Sequence, residues 1–182
     1  MNQIKIAILF CLFATVFQLN AQEIVSTPRV FDKTSVGIGG GLDYGGLGAN
    51  LLVYSTPTIG LFGGMGYAMA GVGFNAGAKL RFPSQKHFVD PYALVMYGYN
   101  AAIAIEDADK YNKLYYGPSV GFGLDFQSRK AKGGYWTVAL LLPIRSSAVD
   151  NYIDDLEKYH GVDFNNKLSP VTFSFGYRYI LK

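Results

Sequence analysis

Cysteine, histidine and tryptophan are nearly absent from this chain. Among 182 residues there are one cysteine, two histidines and one tryptophan. The lone Cys11 sits in the apolar N-terminal stretch, so a chain that loses this stretch can form neither a disulfide nor a thiolate metal site. His87 and His160 leave little material for general acid–base chemistry. Charge is also sparse, at 16% of residues, and the balance of +3 is too small and too evenly spread to attract nucleic acid. No apolar run is long enough for a membrane-spanning helix; the longest, Ile6 to Phe17, falls short of the roughly 20 residues required. What is abundant is glycine (22), tyrosine (14) and phenylalanine (13), a mixture typical of β-barrels when it recurs in short segments.

Residues 1–21 read as a secretory signal peptide, with Lys5 before the apolar core and a polar end at Gln18–Leu19–Asn20–Ala21. Cleavage is expected near Ala21, although Leu19 is bulky for its position. Cys11 follows Phe10, where a lipid-attachment cysteine would want a small neighbour. The expected organisation is a signal peptide over 1–21, a polar lead over 22–33 and one domain over 34–182.

That domain alternates with period two, the signature of strands with two unlike faces. Strands are expected at Thr34–Asp43, Leu47–Ser55, Ile59–Tyr67, Gly71–Phe82, Asp90–Ile105, Tyr115–Gln127, Gly134–Arg145 and Val171–Leu181. The fourth divides cleanly into Val72, Phe74, Ala76, Ala78, Leu80 and Phe82 against Gly73, Asn75, Gly77, Lys79 and Arg81. The sixth sets Tyr116, Val120, Phe122, Leu124 and Phe126 against Gly117, Ser119, Gly121, Asp125 and Gln127. In the eighth, Val171, Phe173, Phe175, Tyr177, Tyr179 and Leu181 oppose Thr172, Ser174, Gly176 and Arg178. The fifth resists phasing because both faces are apolar. Between the last two strands the period changes to 3.6, and Val149, Tyr152, Ile153 and Leu156 predict an amphipathic surface-loop helix. Ser147 with Asp150 supplies a start signal and Gly161 a stop.

Hairpin-by-hairpin order predicts an all-β fold, an eight-stranded antiparallel up-and-down β-barrel. Two arrangements use the same strands. A soluble periplasmic lipocalin-like barrel turns the apolar face inward; a transmembrane barrel turns it to lipid. The second face is mostly glycine in strands one, four and six, which suits a crowded interior better than a solvated surface. Tyr44, Tyr67, Tyr92, Tyr115, Tyr116, Phe126, Trp136 and Tyr179 fall near strand ends, where aromatic girdles of a membrane barrel belong. Both termini then lie in the periplasm, and the 44–46, 68–70, 106–114 and 146–169 connections face outward.

With its signal peptide, eight amphipathic strands and aromatic final strand, the chain resembles the small outer-membrane β-barrel families, OmpA/OmpX-like or porin-like. The resemblance covers the whole mature chain and rests on pattern, not on a motif. It implies a bacterial outer-membrane location, outer-membrane lipid as surroundings, and barrel-assembly machinery reading the C-terminal strand. The ending Tyr179–Ile180–Leu181–Lys182 departs from the family's terminal aromatic, so Tyr177 and Tyr179 become the candidates for that signal.

Inward charges are the place to look for chemistry, because ionisable groups at membrane depth must pair. Lys79, Arg81, Asp125 and Arg178 are expected to form a polar network, with Asp125 bridging Arg178 or Lys79. Ser146, Ser147, Asp150, Asp163 and His160 share one loop and could form a hydrolase-like group, but nothing in their spacing fixes a geometry. Glu106, Asp107 and Asp109 read as a solvated acidic loop, and the glycine runs lack the helix and lysine of a phosphate loop. No cofactor, metal site or catalytic residue is expected. The expected function is non-enzymatic: a structural, adhesive or surface-binding outer-membrane barrel, its ligand or partner protein unidentified. The alternatives are a narrow pore or small apolar ligand transporter, an outer-membrane lipid-modifying enzyme, and the soluble barrel.

Overall fold

A computed structural model describes residues 32–83, 88–103, 112–127, 133–160 and 168–181, apart from the side chains of residues 157, 159 and 160. Eight antiparallel strands close into a barrel in sequence order. They are β1 (Thr34–Gly41), β2 (Gly46–Tyr54), β3 (Ile59–Tyr67), β4 (Val72–Arg81), β5 (Val89–Ile103), β6 (Lys113–Phe126), β7 (Gly134–Pro143) and β8 (Thr172–Leu181), and among the described residues an α-helix, α1 (Ser147–His160), lies between β7 and β8. Closure is made by β1 against β8, from Thr34 opposite Leu181 to Gly40 opposite Phe175. Following paired residues once around the wall, from Leu181 through Thr34, Val53, Leu61, Ala78, Val95, Val120 and Leu142, returns to β8 about ten residues away. A stagger of that size in eight strands tilts them by roughly 40° and leaves an interior that side chains can fill.

Alternation sets the two faces. The outward rows of β4, β6 and β8 are the apolar ones, and their small or polar partners point in. Every strand contributes large apolar side chains to the outside, among them Ile38, Leu51, Leu61, Phe74, Val95, Phe122, Leu140 and Phe173. Phe122 is 68% exposed and Ile38 64%. The buried set contains Lys79, Arg81, Arg178, Asp90, Asp125 and Asn50. This polarity is the reverse of a lipocalin-like barrel.

The fifth strand was hard to phase for a visible reason. Its inward row, Tyr92, Leu94 and Met96, joins Leu52, Phe62, Ala139 and Leu141 in an apolar layer inside the barrel, so both faces are hydrophobic. At Asn100 a bulge shifts the register, Tyr99 pairing with Tyr116 and Ala101 with Tyr115. Beyond it, β5 and β6 continue as a two-stranded ribbon past the end of β7.

The first connection corrects two expectations. Strand β1 stops at Gly41, not Asp43, and Leu42–Tyr44 form a single 3-10 turn whose three residues are all buried. Positive φ at Gly41, Gly45 and Gly46, at 144°, 71° and 105°, folds this segment back into the lumen, a path L side chains rarely follow. Tyr44 is therefore no girdle residue; it is completely buried, its ring lying beside Gly37, Gly39 and Gly176. Tyr92 is likewise inside, while Tyr67, Tyr116, Trp136 and Tyr179 do point outward.

Candidate functional site

The candidate site is the lumen. Near the terminal end of the barrel, Lys79 and Arg81 share the inward row of β4, and Asp125 points in from β6. Lys79 Nζ donates to both Asp125 carboxylate oxygens at 2.8 Å and lies 3.5 Å from the centre of the Tyr92 ring. Arg81 Nε is 3.9 Å from the same carboxylate. Its Nη2 donates to Asp32 at 2.7 Å, and its guanidinium lies over the Tyr54 ring at 3.8 Å. The Tyr135 hydroxyl donates to the other Asp32 oxygen at 3.0 Å. Each cation thus meets a carboxylate on one side and an aromatic face on another, the environment in which a buried charge is tolerated.

Arg178 does not reach Asp125. It donates to Ser35 Oγ at 3.1 Å, to the Ser35 carbonyl at 3.3 Å and to Asn50 Oδ1 at 2.6 Å. Register explains the choice: Arg178 sits opposite Gly37 on β1, whose own Cβ is missing and whose neighbours bring Ser35 and Asn50 within reach. The lumen therefore holds two polar centres where a single network was expected. Asp32 belongs to the ion-paired centre although its segment read as a mere polar lead. Its sequence signal was one acid two residues before the first alternating strand.

Above these centres the inward-folded turn acts as a plug. The Ser174 hydroxyl donates to the Asp43 carboxylate, and the amide of Asn75 donates to the Leu42 carbonyl. Asn50 donates to the Asp43 carbonyl at 3.1 Å, joining the plug to the Arg178 centre. The cavity left among Asp43, Asn50, Lys79, Tyr92, Thr137 and Arg178 measures about 10 Å³, room for one water and no more.

The far end is covered differently. From α1, Val149 and Leu156 are fully buried against Ala101 and Ile103 of the β5 extension, with Tyr152, Ile153, Tyr115 and Leu168 around them. All four residues expected on the apolar face of the helix thus share one cluster; Gly161, its expected stop, lies outside the described residues. Asp150, Asp154, Asp155 and Lys158 face outward. Arg145 fastens the loop base, donating to the Asn100 carbonyl at 3.3 Å and the Ser169 carbonyl at 2.6 Å. Partial burial pulls its pKa below the ordinary value, and the Asp150 carboxylate opposes that shift.

Of the hydrolase-like group, Asp163 and the His160 side chain lie outside the described residues, as do Glu106, Asp107 and Asp109. Among the described residues no three His, Cys, Asp or Glu side chains converge as metal ligands.

Fold and site together define a class: a closed eight-stranded up-and-down barrel, apolar outside, ion-paired and plugged inside. Comparison with family models, curated proteins and solved structures returned no match to this chain.

Proposed function

We propose that this chain is an integral outer-membrane β-barrel protein with a non-enzymatic, structural or surface-binding role. The observation that carries the reading is the inverted polarity: charged and amide side chains are buried in the lumen while large apolar side chains cover the outside of every strand. Water would meet an apolar belt far larger than the few hundred Å² a soluble monomer ordinarily exposes, whereas hydrocarbon would solvate it. Backbone closure supports the same reading, since a barrel without edges leaves few unpaired amides for lipid to meet. The signal-like sequence over 1–21 adds an export route.

The plug and the 10 Å³ cavity favour a sealed lumen over a narrow pore or a ligand transporter. Contacts with the outside then fall to the far-end surface made by α1 and the β5–β6 ribbon. The test is fractionation with heat-modifiability. The protein should appear in the outer-membrane fraction, require detergent for extraction, and migrate differently on gels before and after boiling. Recovery from the soluble fraction without detergent would refute the proposal.

A further inference from the structure

Five inward glycines stand at one level of the wall, on five adjacent strands. Gly176 of β8 pairs with Gly39 of β1, Gly39 with Gly48 of β2, Gly48 with Gly66 of β3, and Gly66 with Gly73 of β4. Cross-strand side-chain pairs ordinarily stabilise a sheet, and this row has none. The plug turn fills the space instead. A Cβ added at any of the five would come within 3.0 Å of it. At Gly176 it would meet the Tyr44 hydroxyl, at Gly39 the Tyr44 ring, at Gly48 and Gly66 the Tyr44 carbonyl oxygen, and at Gly73 the Gly45 carbonyl oxygen. One level lower, a Cβ at Gly64 would meet the Asp43 carbonyl oxygen at 2.5 Å.

The turn is nonetheless separable from the wall. Residues 42–45 take part in no ladder pair, since the β1–β2 ladder ends with Gly41 opposite Gly46. Side-chain bonds from Ser174, Asn75 and Asn50 hold the turn, and glycines with positive φ flank it, Gly41 before and Gly45 and Gly46 after. Seating leaves Asn75 Oδ1 buried with no hydrogen-bond partner among the described residues, a cost that water removes once the turn leaves. The apolar layer on which Leu42 packs, with Leu52, Phe62, Tyr92, Leu94 and Met96, belongs to the wall, so the lumen stays shut without the turn.

We infer that the Leu42–Tyr44 turn is a releasable plug, seated on the glycine row and able to leave it as a unit while the eight-stranded wall stays closed. Gly41, Gly45 and Gly46 are its hinge. Release uncovers Asn50, Ser174 and Arg178 toward the far end, and a filled mouth becomes a blind polar recess. Nothing in this movement depends on whether the wall meets lipid. A turn that comes out only when the whole barrel unfolds is the competing account.

In a Cys11→Ser background, Leu42→Cys places a single thiol on the turn. A polar maleimide should label it in the folded protein at least about ten-fold faster than the barrel unfolds in the same detergent micelles, unfolding being followed by Trp136 fluorescence. Adding Gly73→Ala or Gly64→Ala should raise the labelling rate by at least about ten-fold, because the new methyl group competes for the seat. Gly63→Ala should leave it unchanged, since a Cβ there meets nothing closer than 3.9 Å. Heat-modifiability run on each variant verifies a closed barrel. Labelling that only keeps pace with unfolding overturns the inference. So do Gly73→Ala and Gly64→Ala barrels that shield the thiol as well as the parent, variants at both positions that no longer close, or equal acceleration by Gly63→Ala. Recovery without detergent, with the expected labelling pattern, would overturn the membrane reading and leave the releasable plug standing.

Discussion

Replacing Asp125 by asparagine should be the most revealing single change in this barrel. The carboxylate is 1% exposed and holds Lys79 through both oxygens at 2.8 Å, with Arg81 Nε 3.9 Å away. The amide that replaces it cannot neutralise Lys79, which stays buried against Tyr92 without a counter-charge. Removing one partner of a buried pair costs about 3–5 kcal/mol, and the lower end is expected here because the Tyr92 face still solvates the ammonium. Lys79→Met should cost less, because Asp125 keeps the Arg81 guanidinium 3.9 Å away as a counter-charge. The double variant Lys79→Met/Asp125→Asn removes both charges and should lose clearly less than the sum, with coupling of about 1–3 kcal/mol. Urea unfolding in detergent micelles, followed by the fluorescence of the single tryptophan, Trp136, supplies the numbers. Additive effects within about 0.5 kcal/mol would refute the pairing. In the same series, Asp125→Asn and Arg178→Gln should couple less than Asp125 and Lys79, because Arg178 is bound to Ser35 and Asn50.

Asp32→Ala should destabilise by about 3–5 kcal/mol in the same unfolding assay, since it strips Arg81 of its 2.7 Å partner and Tyr135 of its acceptor. Gly45→Val should cost at least about 1–3 kcal/mol, because φ 71° is hostile to a β-branched residue and the plug turn depends on it. Liposomes carrying the wild type should show no solute flux above protein-free controls; swelling in a small sugar would contradict a lumen plugged around a 10 Å³ cavity. Arg145→Ala should speed proteolytic cleavage within 144–171 on folded protein by releasing the Asn100 and Ser169 carbonyls, and an unchanged rate would contradict its role at the loop base.

The strands whose two faces differ chemically were legible from sequence. In β4, β6 and β8, glycine or charge alternates with large apolar groups, so both period and phase could be read. In β5 the interior itself is apolar at Tyr92, Leu94 and Met96, and alternation carries no phase where both solvents are hydrophobic. Tyr44 illustrates a second limit. An aromatic beside a glycine turn looks like a girdle residue unless the turn folds inward, and that depends on φ angles at Gly41, Gly45 and Gly46 which composition permits but does not dictate. The charged residues of the lumen were recognisable by type, yet their pairing was set by register. Asp125 finds Lys79 over the one intervening strand, β5, while Arg178 is taken by Ser35 on the neighbouring strand. Asp32 was the hardest to foresee, since its role comes from the chain's entry path and no periodic pattern marks it.

The central claim is that the outer face meets hydrocarbon, and Trp136 reports on it directly. It stands 49% exposed on the outside, stacked on Phe175 with centroids 5.0 Å apart. In liposomes made with brominated phospholipids its fluorescence should be strongly quenched, while aqueous acrylamide should quench it little. Strong acrylamide quenching of a folded, detergent-free protein, with no response to brominated lipid, would contradict the account.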